Sequence, residues 1–263
     1  MRKSSLLLTL ALTVSVGLLS ACGSDTASKK TDEKVVKVGT SAGRSPFIFK
    51  EGEKVKGFDA EIIEAAAKKA GYKVEWSVSD FEGLFGLLDS GRIDTIANEL
   101  SVSPERKKKY DFSIPYVYSG SVFAVKKDNN TIKSIEDLKG KTVGVGLGTA
   151  GEQELKAVNK NNAFTIKTFS EDPTAELNEV GLGRVDAYYN DKVQVETTIK
   201  KADLDNVKVG FGPLKWGEIA FPFAKKSEKL EDINKALKEL EQDGTLSEIS
   251  TKWLKVDATK KQN

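Results

Sequence analysis

The segment Gly91-Arg92-Ile93-Asp94-Thr95-Ile96-Ala97-Asn98-Glu99 reappears 92 positions later as Gly183-Arg184-Val185-Asp186-Ala187-Tyr188-Tyr189-Asn190-Asp191. Each copy follows a helical stretch, runs through an apolar strand and ends in Asn plus a carboxylate. This echo predicts two similar α/β lobes with equivalent strands. Ligands of open α/β sheets bind at the carboxyl ends of strands. Glu99 and Asp191 are therefore expected to face one cleft from opposite sides.

The rest of the chain agrees with an α/β class. Val35 to Thr40 is a β-branched run that reads as a buried strand. Phe58, Ile62, Ala66 and Ala70 fall on one helical face, and Gly71 ends it. Tyr72, Val74, Trp76 and Val78 alternate with polar residues as a strand does. Phe81 to Ser90 is expected to be helical up to Gly91, with Ile93 to Ile96 as the next strand. This β-α-β order argues for a largely parallel sheet. Ser103-Pro104 and Asp172-Pro173 are helix starts, and Ser134-Ile135-Glu136-Asp137 reads as a capping box. A strand from Lys141 to Val145 feeds a glycine-rich loop, with a helix expected from about Glu152. Leu230, Ile233, Leu237 and Leu240 form a last helical stripe ended by Gly244, and Leu246, Ile249 and Trp253 add one or two turns.

The N-terminus reads as an export leader: cationic Arg2 and Lys3, an apolar run from Leu6 to Leu19, then Leu19-Ser20-Ala21-Cys22. The run is short for a membrane span, which needs about 20 residues. Small residues before the sole cysteine resemble a bacterial lipobox, which makes Cys22 the lipidated N-terminus of the mature protein. Gly23 to Lys34 holds no large apolar residue and is expected to be a tether.

Composition excludes several chemistries. The 263 residues include no histidine and one cysteine, so His-based acid–base catalysis, Ser-His-Asp triads, His- or thiolate-bearing metal sites and internal disulfides are all out. The whole chain has 41 basic and 39 acidic residues, and a leader of residues 1–21 removes Arg2 and Lys3 alone. A mature chain of balanced charge lacks the footprint for nucleic acid. No cofactor, metal or catalytic residue is expected.

The candidate ligand residues are few. Arg106 lies in a first helical turn, where the macrodipole disfavours a cation. It either points at an anion shared with the helix amides or is a surface arginine beside Lys107, Lys108 and Lys109. The loop Gly144-Val145-Gly146-Leu147-Gly148-Thr149-Ala150-Gly151 lacks the lysine of a P-loop. It is an anion cradle suited to a carboxylate, or simply a tight turn. Phe81 and Phe47 are either apolar walls or core.

Together these features resemble the polar amino-acid substrate-binding proteins of bacterial ABC importers (solute-binding family 3), from about Val35 to Leu254. The resemblance rests on Gly57-Phe58-Asp59, Ser101-Val102-Ser103-Pro104-Glu105-Arg106, Asp111-Phe112-Ser113-Ile114-Pro115-Tyr116 and Gly183-Arg184-Val185-Asp186-Ala187. It implies a two-lobe Venus-flytrap fold of the type II periplasmic-binding-protein kind. Lobe 1 would comprise residues 35–119 plus 217–263, lobe 2 residues 120–216, with hinge crossings near Tyr118–Ser121 and Lys215–Ala220. Residues 1–21 would be the signal peptide and 22–34 the lipidated cysteine and tether. The resemblance further implies that Arg106 grips the ligand α-carboxylate, helped by Ser101 and the amides around Thr149 and Ala150. Asp191 would take the α-ammonium, and Phe81 would lie along the side chain.

Two positions depart from the basic-amino-acid members: Arg44 stands where many have an aromatic, and Glu99 where many have a small residue. Arg44 and Glu99 either engage a second polar end of the ligand or pair with each other. L-cystine, with two carboxylates and two ammonium groups, would suit Arg106, Arg44, Asp191 and Glu99. Ile96-Ala97-Asn98 and the following Ser-Pro-Glu-Arg also look like cystine-binding members. The expected role is thus a lipid-anchored, extracytoplasmic, monomeric binding protein that delivers an amino acid to membrane permease subunits. A glutamate- or glutamine-like ligand is the alternative, and a flytrap-fold enzyme or a sensor or adhesin domain are more distant ones.

Overall fold

The computed structural model describes residues 34–170 and 172–261; the segment expected to be an export leader, Cys22 and nearly all of the expected tether lie outside the described residues. Glu33–Asn263 is one compact unit. Its first part runs β1 (Lys34–Thr40), β2 (Gly43–Arg44), β3 (Ile48–Glu51), β4 (Lys54–Lys56), α1 (Phe58–Lys69) and β5 (Tyr72–Val78). Then come α2 (Phe81–Asp89), β6 (Thr95–Ile96), α3 (Pro104–Lys109), β7 (Tyr110–Phe112) and β8 (Val117–Lys126). The middle of the chain gives β9 (Thr142–Gly146), α4 (Ala150–Val158), β10 (Thr165–Phe169), α5 (Pro173–Gly181) and β11 (Ala187–Asp191). It continues with α6 (Lys192–Lys201), β12 (Val207–Phe211) and β13 (Trp216–Ile219), and closes with β14 (Pro222–Ala224), α7 (Glu228–Gln242) and α8 (Thr245–Leu254).

Two sheets organise the molecule. The first has strand order β5-β1-β6-β14-β7, and the second β10-β9-β11-β8-β12 with β13 added on β8. In each, the strand carrying the echo lies beside a parallel neighbour, β1 for β6 and β9 for β11. On its other side lies an antiparallel strand, β14 or β8. The expected parallel arrangement thus holds for half of each sheet. A long β8 pairs with β13 in the register Trp216↔Gly120 to Ile219↔Val117, which joins the two lobes through an antiparallel ladder.

The repeat has a structural cause. Asp94 exchanges two hydrogen bonds with the backbone of Lys37 on β1: Asp94 N donates to Lys37 O (2.8 Å) and Lys37 N donates to Asp94 Oδ2 (2.7 Å). Asp186 does the same with Thr142 on β9, both at 2.8 Å. Gly91 and Gly183 precede them at φ 68° and 71°, the left-handed region in which a Cβ is penalised. Each glycine turns the chain off a helix, and the aspartate then locks the new strand to its parallel neighbour.

Each sheet is covered on both faces. In the first lobe Val36, Val38 and Phe223 pack with Ile62, Ala66, Ile233, Leu237 and Ile249 of α1, α7 and α8. Leu84 and Leu88 of α2 cover the other face with Ile93 and Ile96. In the second lobe, alternation along β8 sends Phe123 and Val125 to one core and Val122 and Ala124 to the other.

Several boundaries differ from the sequence reading. The box at Ser134 yields one 3₁₀ turn, Glu136–Leu138, because Ser134 Oγ bonds Asp137 Oδ2 (3.2 Å) instead of a helical amide. The helix after the glycine loop starts at Ala150, not Glu152, because Thr149 is its N-cap. The C-terminal segment is a full ten-residue helix.

Candidate functional site

A narrow cavity lies where the two lobes meet, and its walls come from the loops that follow the strands. From the first lobe it is lined by Arg44, Phe81, Asn98, Glu99, Ser101 and Arg106, and from the second by Thr149, Ala150 and Asp191. Nine of the ten residues expected to contact ligand are therefore brought together. Phe47 is the correction. It is fully buried in the first lobe's core, edge-on to Phe58 with ring centroids 5.7 Å apart. The reason is local: the carbonyls of Pro46 and Phe47 accept from the amides of Phe58 (3.0 Å) and Asp59 (2.8 Å). The segment thus caps otherwise unpaired donors of α1, and its ring turns into the core.

Arg106 is held by its own turn. Ser103 caps the helix by accepting from Arg106 N (3.3 Å), and Arg106 Nη1 donates to Ser101 O (2.9 Å). The guanidinium lies 5.2 Å from the Phe85 ring centroid. Burial pulls its pKa down to about 10, and no carboxylate pairs with it among the described residues. A half-buried cation that faces the cavity without a counter-charge among the described residues is poised for an anionic group.

Arg44 and Glu99 meet directly. Arg44 Nε and Nη2 donate to Glu99 Oε2 at 3.1 and 2.7 Å, and both residues are buried. Glu99 Oε1 has no hydrogen-bond partner. Burial raises the Glu99 pKa well above the usual carboxylate range. The Arg44 charge opposes that shift, and Asp191 and Asp59 add to it. Glu99 adopts φ 52°, and its amide donates to Asp59 Oδ2 at 2.5 Å.

Asp191 ends β11 and caps α6, accepting from Gln194 N (3.1 Å). Burial raises its pKa, against hydrogen bonds from Ser119 and the amides of Gln194 and Val193. Asn98 Oδ1 accepts from Thr40 Oγ1, Ser41 N and Ser41 Oγ (3.1, 2.9 and 2.8 Å), which fixes the end of β1 at the cavity wall. In the glycine loop, Thr149 Oγ1 donates to Gly146 O (2.8 Å) and accepts from Glu152 N (3.2 Å). Gly148 N donates to Glu152 Oε2 (2.7 Å). The loop therefore offers a ligand the amides at Thr149 and Ala150, and its hydroxyl is already engaged. Phe81 reaches across to Gly148, where an added Cβ would sit 3.7 Å from its ring.

Leu100, Ser121, Gly151 and Asn190 also line the cavity and were not singled out from sequence. Asn190 was within reach, since the echo pairs it with Asn98 as it pairs Asp191 with Glu99. Ser101, Ser121 and Asp191 are shared with a wider space of about 410 Å³ beside β13. Among the described residues there is no group of three or more potential metal ligands, and no helix is long and apolar enough to cross a membrane.

Two lobes joined by an antiparallel ladder, with unpaired charges in the cleft between them, define a protein that encloses a small polar solute. The chain belongs to the bacterial extracellular solute-binding proteins, family 3, whose model matches residues 36–256. It is 42% identical over 265 residues to the probable amino-acid-binding protein YxeM of Bacillus subtilis (strain 168), covering 100% of this chain and 98% of that protein. It is 37% identical over 270 residues to the L-cystine-binding protein TcyA of the same organism, covering 97% and 98%. Among solved structures, one from work on glutathione import via GshT and the cystine importer TcyBC of Streptococcus mutans aligns with a TM-score of 0.80. The two share 29% identity, covering 87% of this chain and 98% of that one.

Proposed function

We propose that the protein captures a polar amino acid outside the cytoplasmic membrane and delivers it to the membrane subunits of an ABC importer, and that its ligand is L-cystine. The observation that carries the reading is one cavity holding two arginines and two carboxylates, with Arg106 lacking a carboxylate partner and Glu99 Oε1 lacking a hydrogen-bond partner among the described residues. Charges enclosed in a closing cleft must be matched, so a ligand with two carboxylates and two ammonium groups fits this set. One end places its carboxylate on Arg106 and the Thr149 and Ala150 amides, and its ammonium on Asp191. The other end meets the Arg44–Glu99 pair, with its ammonium at Glu99 Oε1. The cystine-binding relative supports this choice. A glutamate-like ligand would bring its side-chain carboxylate to Arg44 but also against Glu99.

The role needs no bond-making step. The open protein binds ligand on one lobe, closure about the β8–β13 ladder completes the contacts, and the closed form docks on its permease. The lobe limits at 119/120 and 216/217 are part of this reading, as are the monomeric state, cleavage before Cys22 and its lipidation. A diacylated cysteine gives a stable anchor where one acyl chain would not.

The test is a thermal-shift screen of amino acids and L-cystine on the chain from Gly23, unfolded and refolded to strip carried-over ligand. At ligand 100 times its dissociation constant, linkage stabilises by about 2.7 kcal/mol, a rise in Tm of several degrees. A shift with L-cystine is expected. A shift with glutamate or glutamine in its place overturns the cystine assignment and leaves the importer role. No shift with any amino acid overturns both.

A further inference from the structure

Behind the cavity floor lies a buried carboxylate with no part in the reading above. Asp59, in the first turn of α1, is wholly inaccessible to solvent. Its Oδ2 accepts the Glu99 amide and holds Glu99 in the left-handed backbone region, while its Oδ1 has no partner. The Tyr116 hydroxyl beside it is also buried and without a well-aligned partner, as is Glu99 Oε1. The Tyr116 hydroxyl stands beside Asp59 and can donate its own hydrogen there, which leaves Glu99 Oε1 as the unpaired oxygen of two buried carboxyl groups that face the same Arg44 charge. Ionised together, Asp59 and Glu99 would hold two negative charges in buried positions against Arg44, and one proton on the pair removes that excess.

The charges facing this pair come from every side of the cavity floor. Arg44 and Asp191 face Glu99, Tyr116 faces Asp59, and Tyr188 lies near Arg44 and Glu99. Counting Asp59 behind the floor, two arginines meet three carboxylates here, and only Arg44 pairs with either member of the buried Asp59–Glu99 pair among the described residues. Burial raises the Asp59 pKa to about 7, against the Glu99 amide, Tyr116 and Arg44, and the Asp59 charge in turn raises Glu99. Two carboxyl groups coupled in this way titrate as a unit. Arg44, Asp59, Glu99 and Tyr116 all belong to the first lobe, so the arrangement does not depend on closure.

We propose that Asp59 and Glu99 carry one proton between them in the ligand-free protein, and that a ligand ammonium arriving at Glu99 Oε1 displaces it. Asp59 is thus a positioning residue that makes the cleft select a cationic group and couples capture to proton release. The step balances: protonated pair plus ligand ammonium gives ionised pair with ammonium bound, and the proton passes to the buffer. The inference rests on Glu99 as a ligand contact, as proposed above.

Two measurements test it. The first follows Tm against pH from 5 to 8.5 without ligand, for the chain from Gly23 and its Asp59→Asn and Glu99→Gln variants. A carboxyl whose folded pKa is raised binds more protons folded than unfolded, so stability is lost as pH rises through about 7. The parent should lose several degrees there and Asp59→Asn should be flat. Glu99→Gln should move the midpoint to lower pH, because the second negative charge is gone. A parental slope in Asp59→Asn, or an unmoved midpoint in Glu99→Gln, overturns the shared proton; if Asp59→Asn does not fold, Glu99→Gln decides. The second is calorimetry of L-cystine in phosphate and imidazole at pH 6.5, where the heats should differ by the release of about one proton. Buffer-independent heat overturns the inference and leaves the importer reading intact. Absence of cystine binding defeats the cystine assignment instead, and the pH profiles then decide alone.

Discussion

At the scale of single residues the two cavity arginines make opposite predictions. Arg106 has no carboxylate partner among the described residues, so Arg106→Ala should cost little stability and abolish ligand binding. Arg44 neutralises buried Glu99, and removing one partner of a buried pair costs about 3–5 kcal/mol. Arg44→Ala should therefore lower the urea midpoint, and the loss should shrink as pH falls and Glu99, whose pKa burial already raises, takes up a proton. If L-cystine affinity survives Arg44→Ala but not Arg106→Ala, the pair only lines the cleft and the second ligand end lies elsewhere. Arg106 could be picked out of the sequence because a cation in the first turn opened by Ser103-Pro104-Glu105 runs against the macrodipole, which still left a surface arginine as the alternative. Asp59 was not, since an acid in a first turn is what the macrodipole favours and nothing marks it as buried. Phe47 misled for a related reason: an aromatic after proline reads the same in a cleft wall and in a core, and only the capping of α1 by the 46–47 carbonyls separates the two.

At the scale of elements the echo is the informative unit. Asp94 and Asp186 each tie an entering strand to its parallel neighbour through paired backbone hydrogen bonds, and Asp94 also takes the Lys229 ammonium at 2.7 Å. Asp94→Ala and Asp186→Ala should each cost about 1–2 kcal/mol by loss of the bonds that the carboxylate accepts, while the backbone bond of each pair remains. The two sites lie in different sheets with no shared partner, so the double variant should show the sum in urea unfolding. A double variant no worse than either single would mean that one lobe unfolds first and alone sets the transition. The helix starts at Ser103 and Asp172 were readable because capping side chains and N1 prolines are local in sequence. Ser134 carries the same letters but spends its hydroxyl on Asp137, and the antiparallel partners of β6 and β11 come from distant segments that no local pattern announces.

At the scale of the whole molecule, contacts outside the cavity also join the lobes. Helix α6 of the second lobe reaches the β2–β3 turn of the first: Gln194 Nε2 donates to Ser45 O (3.3 Å) and Lys201 Nζ to Ser45 Oγ. The Lys201 ammonium also lies 5.1 Å from the Phe49 ring centroid, and Val193 packs on the first lobe's core. None of these groups lines the cavity, so they favour closure whether or not ligand is present. A ligand that binds the closed form has its apparent affinity scaled by the fraction already able to close. Lys201→Ala should then weaken L-cystine binding by about 3- to 10-fold, a loss of roughly 1 kcal/mol, without touching a ligand contact. Small-angle scattering of the ligand-free variant should show a larger radius of gyration than the parent, and saturating ligand should bring the two together. Equal affinity would mean that the Lys201 contacts add no net free energy to the closed form, and the reading of these contacts as a clasp fails.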